Sequence, residues 1–289
     1  MAPTRRTIDE LLARYRLNTD FRDVYVEGPS DVTMMRLVFR EARIVGVQVY
    51  EIGTVDVPSS HLDALGLENG NRGRVIALSE ALNTGLGVLG APVTCIADKD
   101  FLEVVAEAGI VNPILRFTDH ACMEGYWWEN TTIERLCLSF GCEQAVEDVS
   151  ASVLPIVHEL FLMRAASRKL GWELRALDVE KRCREEAGGL KCDLAAHLRA
   201  YLGTRAAVHR EDEFVGAMEG LRPQVDGMGP RAFNGHDLTH VLGLHLRIGQ
   251  RCRDATEVVV RGRMLSALDG PKIRASRLFA SLRNTYGRG

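Results

Sequence analysis

The apolar positions of this chain alternate between two periods over the first 130 residues or so and settle on one thereafter. Ile8 to Tyr15 has amphipathic helical spacing behind Thr7, whose hydroxyl suits an N-cap. Asp23 to Val26 is a short β-prone run. The Met34, Met35, Leu37 and Val38 stripe behind Ser30 predicts a helix to about Ala42, with Ser30 as its cap. A second strand is expected over Val45 to Ile52, then an exposed Gly/Asn/Pro-punctuated loop from Val55 to Arg72. Gly73 to Thr84 predicts a helix, Pro92 to Ala97 a third strand, Phe101 to Ala108 a helix and Ile114 to Phe117 a fourth strand. Strands alternating with helices of about ten residues predict a mostly parallel sheet with right-handed crossovers.

Beyond this point the pattern is helical. Thr132 to Phe140, Gln144 to Leu170, Asp193 to Leu202, Glu211 to Leu221, Asp237 to Gly249 and Thr256 to Ala267 all read as helices. Trp172 to Leu177 is a candidate β segment and Asp226 to Pro230 a turn. The fold class expected is therefore α/β. A mostly parallel sheet flanked by helices occupies 1–135, and a mostly helical C-terminal lobe occupies 136–289.

Two of the expected strands run into carboxylates. Val24-Tyr25-Val26 leads to Glu27-Gly28-Pro29-Ser30-Asp31, and Cys95-Ile96-Ala97 leads to Asp98-Lys99-Asp100. Open α/β folds place their sites at this carboxyl edge. Asp98 and Asp100 share a side if the strand continues through them. Converging carboxylates repel unless a cation neutralises them, and Mg²⁺ (or Mn²⁺) is the simplest partner of an all-oxygen set. Glu27 can serve as a ligand or as a general base, against a plainer role capping the next helix. Asp31 is equally suited to a first helical turn, and Lys99 is expected to point away.

The same residues resemble a known family. A Glu-Gly pair after a first strand and Asp-x-Asp after a later one is the signature of the Toprim domain. Val26-Glu27-Gly28-Pro29-Ser30-Asp31 is similar to the opening of the Toprim-like family catalogued as DUF4435, related to nucleases of the overcoming-lysogenization-defect type. Asn71-Arg72-Gly73-Arg74-Val75, and Glu124 followed by Tyr126, occur where that family has similar features; Gly125 departs from its more usual Asn. The resemblance covers roughly residues 20 to 130. It implies a Rossmann-like fold and an Mg²⁺-dependent nuclease acting on DNA or RNA. Glu27, Asp98 and Asp100 would be catalytic, with Asp31 and Glu124 completing the metal set. It further implies an effector of bacterial phage defence working beside a separate ABC-type ATPase. The rival expectation is a non-catalytic Toprim-fold binding or sensor module.

Further polar groups are weaker candidates for contacting a substrate phosphate. They are Arg72 and Arg74 in a Gly-rich stretch that lacks a P-loop's Gly-Lys-Ser/Thr ending, and His236 in Asn234-Gly235-His236-Asp237. His236 and His240 are four apart and could share a helix face. Trp127 and Trp128 read as packing residues first and base-stacking residues second. From Arg251 onward basic residues outnumber acidic ones about threefold, and Arg274 and Arg277 are candidates to meet a polyanion.

Composition adds limits. At 289 residues the chain can bury a full core, and 46% hydrophobic with 26% charged residues is ordinary for a globular protein. The net charge of −3 does not advertise nucleic-acid binding. No uninterrupted apolar run of about 18 residues is present, and the polar start differs from a signal peptide. Seven scattered cysteines without a Cys-x-x-Cys pair predict reduced thiols and a cytoplasmic protein. A homo-oligomer is compatible with all of this.

Overall fold

The computed structural model describes residues 5–87, 93–105, 110–172, 174–187 and 189–287. The chain packs as two compact units. The first comprises Met1–Lys99, Ala108–Asp119 and Gly270–Gly289, and the second Asp100–Glu107 and His120–Asp269. The expected division at 135/136 is drawn from sequence order alone. By packing, the first unit is discontinuous and takes back the last twenty residues.

In the first unit a four-stranded parallel sheet runs in the order β3-β2-β5-β6. Its strands are β2 (Arg22–Val26), β3 (Val47–Glu51), β5 (Thr94–Ala97) and β6 (Leu115–Phe117). A two-residue parallel pair, β1 (Arg6–Thr7) with β4 (Val55–Asp56), forms a separate ladder. Side-chain alternation sorts the strands between two faces. Tyr25, Cys95, Ala97 and Leu115 pack with α1 (Ile8–Leu17) and α4 (Asn71–Leu86) around Leu11, Tyr15, Val75 and Leu82. On the other face are α2 (Pro29–Glu41), α11 (Gly270–Arg274) and α12 (Arg277–Tyr286), with Tyr286 donating to Thr94 Oγ1 at 2.8 Å.

Local chemistry explains the helix starts. Thr7 and Glu10 form a reciprocal capping box on α1. For α2 the expected Ser30 cap is wrong. Pro29 is the first helical residue, Gly28 holds the cap position, and Asp31 accepts the Gly28 N–H at 2.9 Å. The loop expected over Val55 to Arg72 contains β4 and a short helix, α3 (Ser59–Ala64), while α4 starts at Asn71. The helix expected over Phe101 to Ala108 is not formed in its described part. Asp100 has a φ of +46°, which turns the chain out of α geometry, and 101–104 form turns. Residues 106–109 lie outside the described residues.

The second unit is built on α6 (Val146–Leu170), packed against α8 (Glu211–Gly227) and α9 (Gly235–Leu244). By length and composition α6 is the one helix among the described residues that could cross a membrane. It packs instead as a core helix, and Arg164 within it pairs bidentately with Asp237 at 2.7 Å through both nitrogens. The helix expected to end at Leu221 continues through Pro223, because α8 buries Phe214, Met218, Leu221 and Val225 along one stripe. Also in this unit are α5 (Asn130–Ser139), α7 (Leu194–Gly203), α10 (Glu257–Ala267) and a π-helical turn over His245–Gly249.

The β segment expected at Trp172 to Leu177 is absent from the described residues there. A hairpin forms downstream instead, from β7 (Cys183–Glu186) and β8 (Gly189–Cys192). Cys183 and Cys192 are directly opposed across it and joined by a disulfide. This corrects the expectation that all seven cysteines are thiols. Nine residues apart in sequence, the two meet because antiparallel pairing opposes them.

Candidate active site

β2 and β5 are parallel neighbours in register, Val24 opposite Thr94 and Tyr25 opposite Cys95, so both chains leave the sheet at the same edge. Glu27 and Asp98 are the first residues beyond those strands. Their link is direct: Glu27 Oε1 accepts the backbone N–H of Asp98 at 2.7 Å. The first turn of α4 closes over both strand ends. Asn71 Nδ2 donates to Glu27 O at 3.0 Å, and Arg72 Nε donates to Asp98 O at 2.9 Å. Lys99 is turned toward β6, with its N–H on Thr118 Oγ1 and Nζ on Asp119 O.

The other proposed ligands are placed differently. Asp31 is buried at the start of α2, where one oxygen is engaged in capping. β5 ends at Ala97, so the strand alternation that would have put Asp98 and Asp100 on one side does not extend to them. Asp100 takes a left-handed conformation, donates its N–H to Ala121 O at 2.7 Å, and packs with the second unit. Glu124 is also in the second unit, in a single 3₁₀ turn (Met123–Tyr126). It is buried, with Oε1 3.7 Å from Arg261 Nη1. Its carboxylate lies against Gly235, the first residue of α9, so closely that a Cβ there would collide with it. An anion at a helix N-terminus is favoured by the exposed N–H groups and the helix dipole. Gly125 has a comparable reason, since a Cβ would strike the His120 side chain.

Arg74 donates to Val55 O at 2.7 Å, away from the β2 and β5 ends. Arg274 is paired with Glu41, and Arg277 is exposed at the start of α12. Trp127 and Trp128 are buried core residues. His236 and His240 share α9 but not a ligand set. His236 Nδ1 is 3.1 Å from Glu257 Oε1, in a network with Arg261, whereas His240 Nε2 is 2.9 Å from Asp178 Oδ1.

Asp178, Glu180 and His240 form a possible metal-binding triad that sequence order conceals, their ligand atoms lying within 4.8 Å of one another. The triad carries its own counter-charges, because Glu180 Oε1 already accepts from Arg247 at 2.7 Å. Partial burial works against the Asp178 charge. Hydrogen bonds from Glu180 N–H and His240, with Arg247 nearby, nevertheless hold its carboxyl below the ordinary range. The only signal in the sequence was Asp-x-Glu, which is common on solvated surfaces.

No protein-family model matches the chain. No curated protein matches it either.

Proposed function

We propose that the chain is a Toprim-like, metal-dependent phosphodiesterase acting on nucleic acid, with Glu27 and Asp98 at its centre. The observation that carries this reading is the 2.7 Å bond from Asp98 N–H to Glu27 Oε1, which draws two carboxylate-bearing ends together at the carboxyl edge of a parallel sheet. The donor set suits a hard cation, since Mg²⁺ is commonly held by one or two carboxylates together with water and substrate phosphate. Glu27 and Asp98 would hold it, with Asp100 two residues further along the chain. When bound, the ion supplies charge neutralisation and polarisation of the scissile phosphate.

The chain's own groups do the rest. Glu27 is anchored through Oε1, and Oε2 accepts the proton of the attacking water. Asn71 fixes the backbone of Glu27, and Arg72, fixed at Asp98 O, adds positive charge beside the phosphate. Asp31 serves the helix cap in this reading, and Glu124 serves the start of α9. Phage defence and a separate ATPase partner belong to the same proposal and rest on the motif resemblance; the cytoplasmic location proposed with them rests on cysteine usage instead, five of the seven being thiols.

The test is cleavage of a DNA and RNA panel by the purified chain with Mg²⁺ or Mn²⁺, with and without candidate ATPases. Metal-dependent cleavage lost in Glu27→Gln and Asp98→Ala supports the reading. Folded protein that binds nucleic acid but never cuts it would leave a binding module in its place.

A further inference from the structure

Of the free thiols in the second unit, unused by the disulfide and the proposed chemistry, two lie side by side. Cys142 Sγ and Cys252 Sγ lie 2.9 Å apart, little further than the ~2.05 Å of a bonded pair. Both are thiols, from segments 110 residues apart. The backbone holds them there. Just past α5, Cys142 donates its N–H to Cys137 O at 2.9 Å, and Cys252 donates to Leu246 O at 2.9 Å beyond the π-helical turn. Arg251 immediately before it has a φ of +59°, a conformation that a non-glycine residue adopts only when its surroundings impose it.

The two thiols are not equivalent. Cys142 is buried, and burial, together with the hydrogen bond to Cys252, pushes its thiol up to about 12. Cys137 is pushed up to about 11, chiefly by burial, and Cys95 is fully enclosed. Cys252 is partly exposed and flanked by Arg251 and Arg253. Both arginines are exposed, and their positive charge attracts an anionic oxidant to this segment.

We infer that Cys142 and Cys252 are a thiol–disulfide modification site, oxidised by an anionic peptide disulfide such as glutathione disulfide. The Cys252 thiolate attacks one sulfur of the reagent; a bond forms at Cys252 Sγ and one glutathione thiolate leaves. Cys142 then attacks Cys252 Sγ in this mixed disulfide. The second glutathione leaves and takes the Cys142 proton. In sum, two protein thiols lose two electrons, glutathione disulfide gains them, and two reduced glutathiones result. The product ties the end of α5 to the segment after the π-helical turn, and that turn packs against the hairpin already closed by Cys183 and Cys192. The inference does not depend on the metal-site reading.

The full-length chain is reduced, titrated in glutathione buffers of rising oxidised fraction, quenched with iodoacetamide and mapped without reduction. The expected result is a peptide pair linked through Cys142 and Cys252, with Cys95, Cys122 and Cys137 alkylated after denaturation. In Cys142→Ser the titration should stop with one glutathione on Cys252, and in Cys252→Ser none should appear on Cys142. Alkylation of both thiols throughout the titration, or a bond from either to Cys137 or to another copy, would overturn the assignment. The wild-type map decides this even if a variant does not fold.

Discussion

Glu27 and Asp98 are joined side chain to backbone: one oxygen of the glutamate accepts the N–H of the aspartate at 2.7 Å, across two neighbouring parallel strands. A carboxylate in this position has two consequences. It holds the ends of β2 and β5 in register, and it fixes the orientation of its own second oxygen.

Glu27→Gln separates those consequences, because the amide oxygen can still accept from Asp98 N–H while the charge is gone. The fold should persist within about 1 kcal/mol in urea melts. Metal-dependent cleavage should fall at least a hundredfold, the usual scale for removing a general base. Calorimetry with Mn²⁺ then distinguishes the roles: unchanged affinity with lost activity identifies a base, and lost affinity a ligand.

Asp100 can be probed through its backbone. At φ +46°, Asp100→Gly and Asp100→Asn, which both remove the side-chain charge, should be tolerated better than a β-branched residue. Asp100→Val should cost on the order of 1–2 kcal/mol, since a β-branched residue resists left-handed geometry. Equal midpoints for glycine and valine would show that the conformation is not required.

Gly235→Ala should destabilise the second unit by roughly 1–3 kcal/mol, because the added Cβ meets the Glu124 carboxylate. Adding Glu124→Ala should recover part of that loss, and the two effects should be non-additive in a double-mutant cycle. Additive losses would mean that the close approach is not what keeps a glycine at 235.

His245 gives the chain an acid-sensitive element. Burial pushes its imidazole down to about 4. The neutral ring lies 2.9 Å from Ser152 Oγ through Nδ1 and 2.7 Å from Gln144 Oε1 through Nε2. The unfolded chain takes up this proton near pH 6.5, whereas the folded chain resists until about 4. The contribution is therefore complete above about pH 6.5 and declines as pH falls toward 4, by roughly 3 kcal/mol at most. Urea melts at pH 7.5 and 4.5 should show a steeper loss for the wild type than for His245→Gln. Parallel losses would assign the acid sensitivity to other groups.

Tyr286→Phe removes the donor to Thr94 Oγ1 and Asp23 O and should cost about 1–2 kcal/mol in the first unit. An unchanged melt would mean that the Tyr286 hydroxyl adds nothing to the hold on α12.

The elements written in the sequence are those that depend on near neighbours. The apolar runs of β2 and β5 read as buried parallel strands, the Thr7–Glu10 box marked the start of α1, and the stripe through Met34 and Val38 marked α2. The position of Glu27 and Asp98 at strand ends follows from the same local signals. Other features depend on residues that meet only after folding. Antiparallel pairing opposed Cys183 and Cys192 where no spacing rule announced them. Asp31 became a cap because Pro29 began the helix one residue before the expected cap, Ser30. Asp100 left the strand pattern through a backbone rotation that its side chain does not encode. Glu124 met Gly235, and Tyr286 returned to Thr94 across 192 residues. Periodicity records which face of an element is apolar, whereas partners far along the chain are chosen by the packing of whole elements. That choice also brought Cys142 to Cys252 and His240 to Asp178, pairings no local pattern could carry.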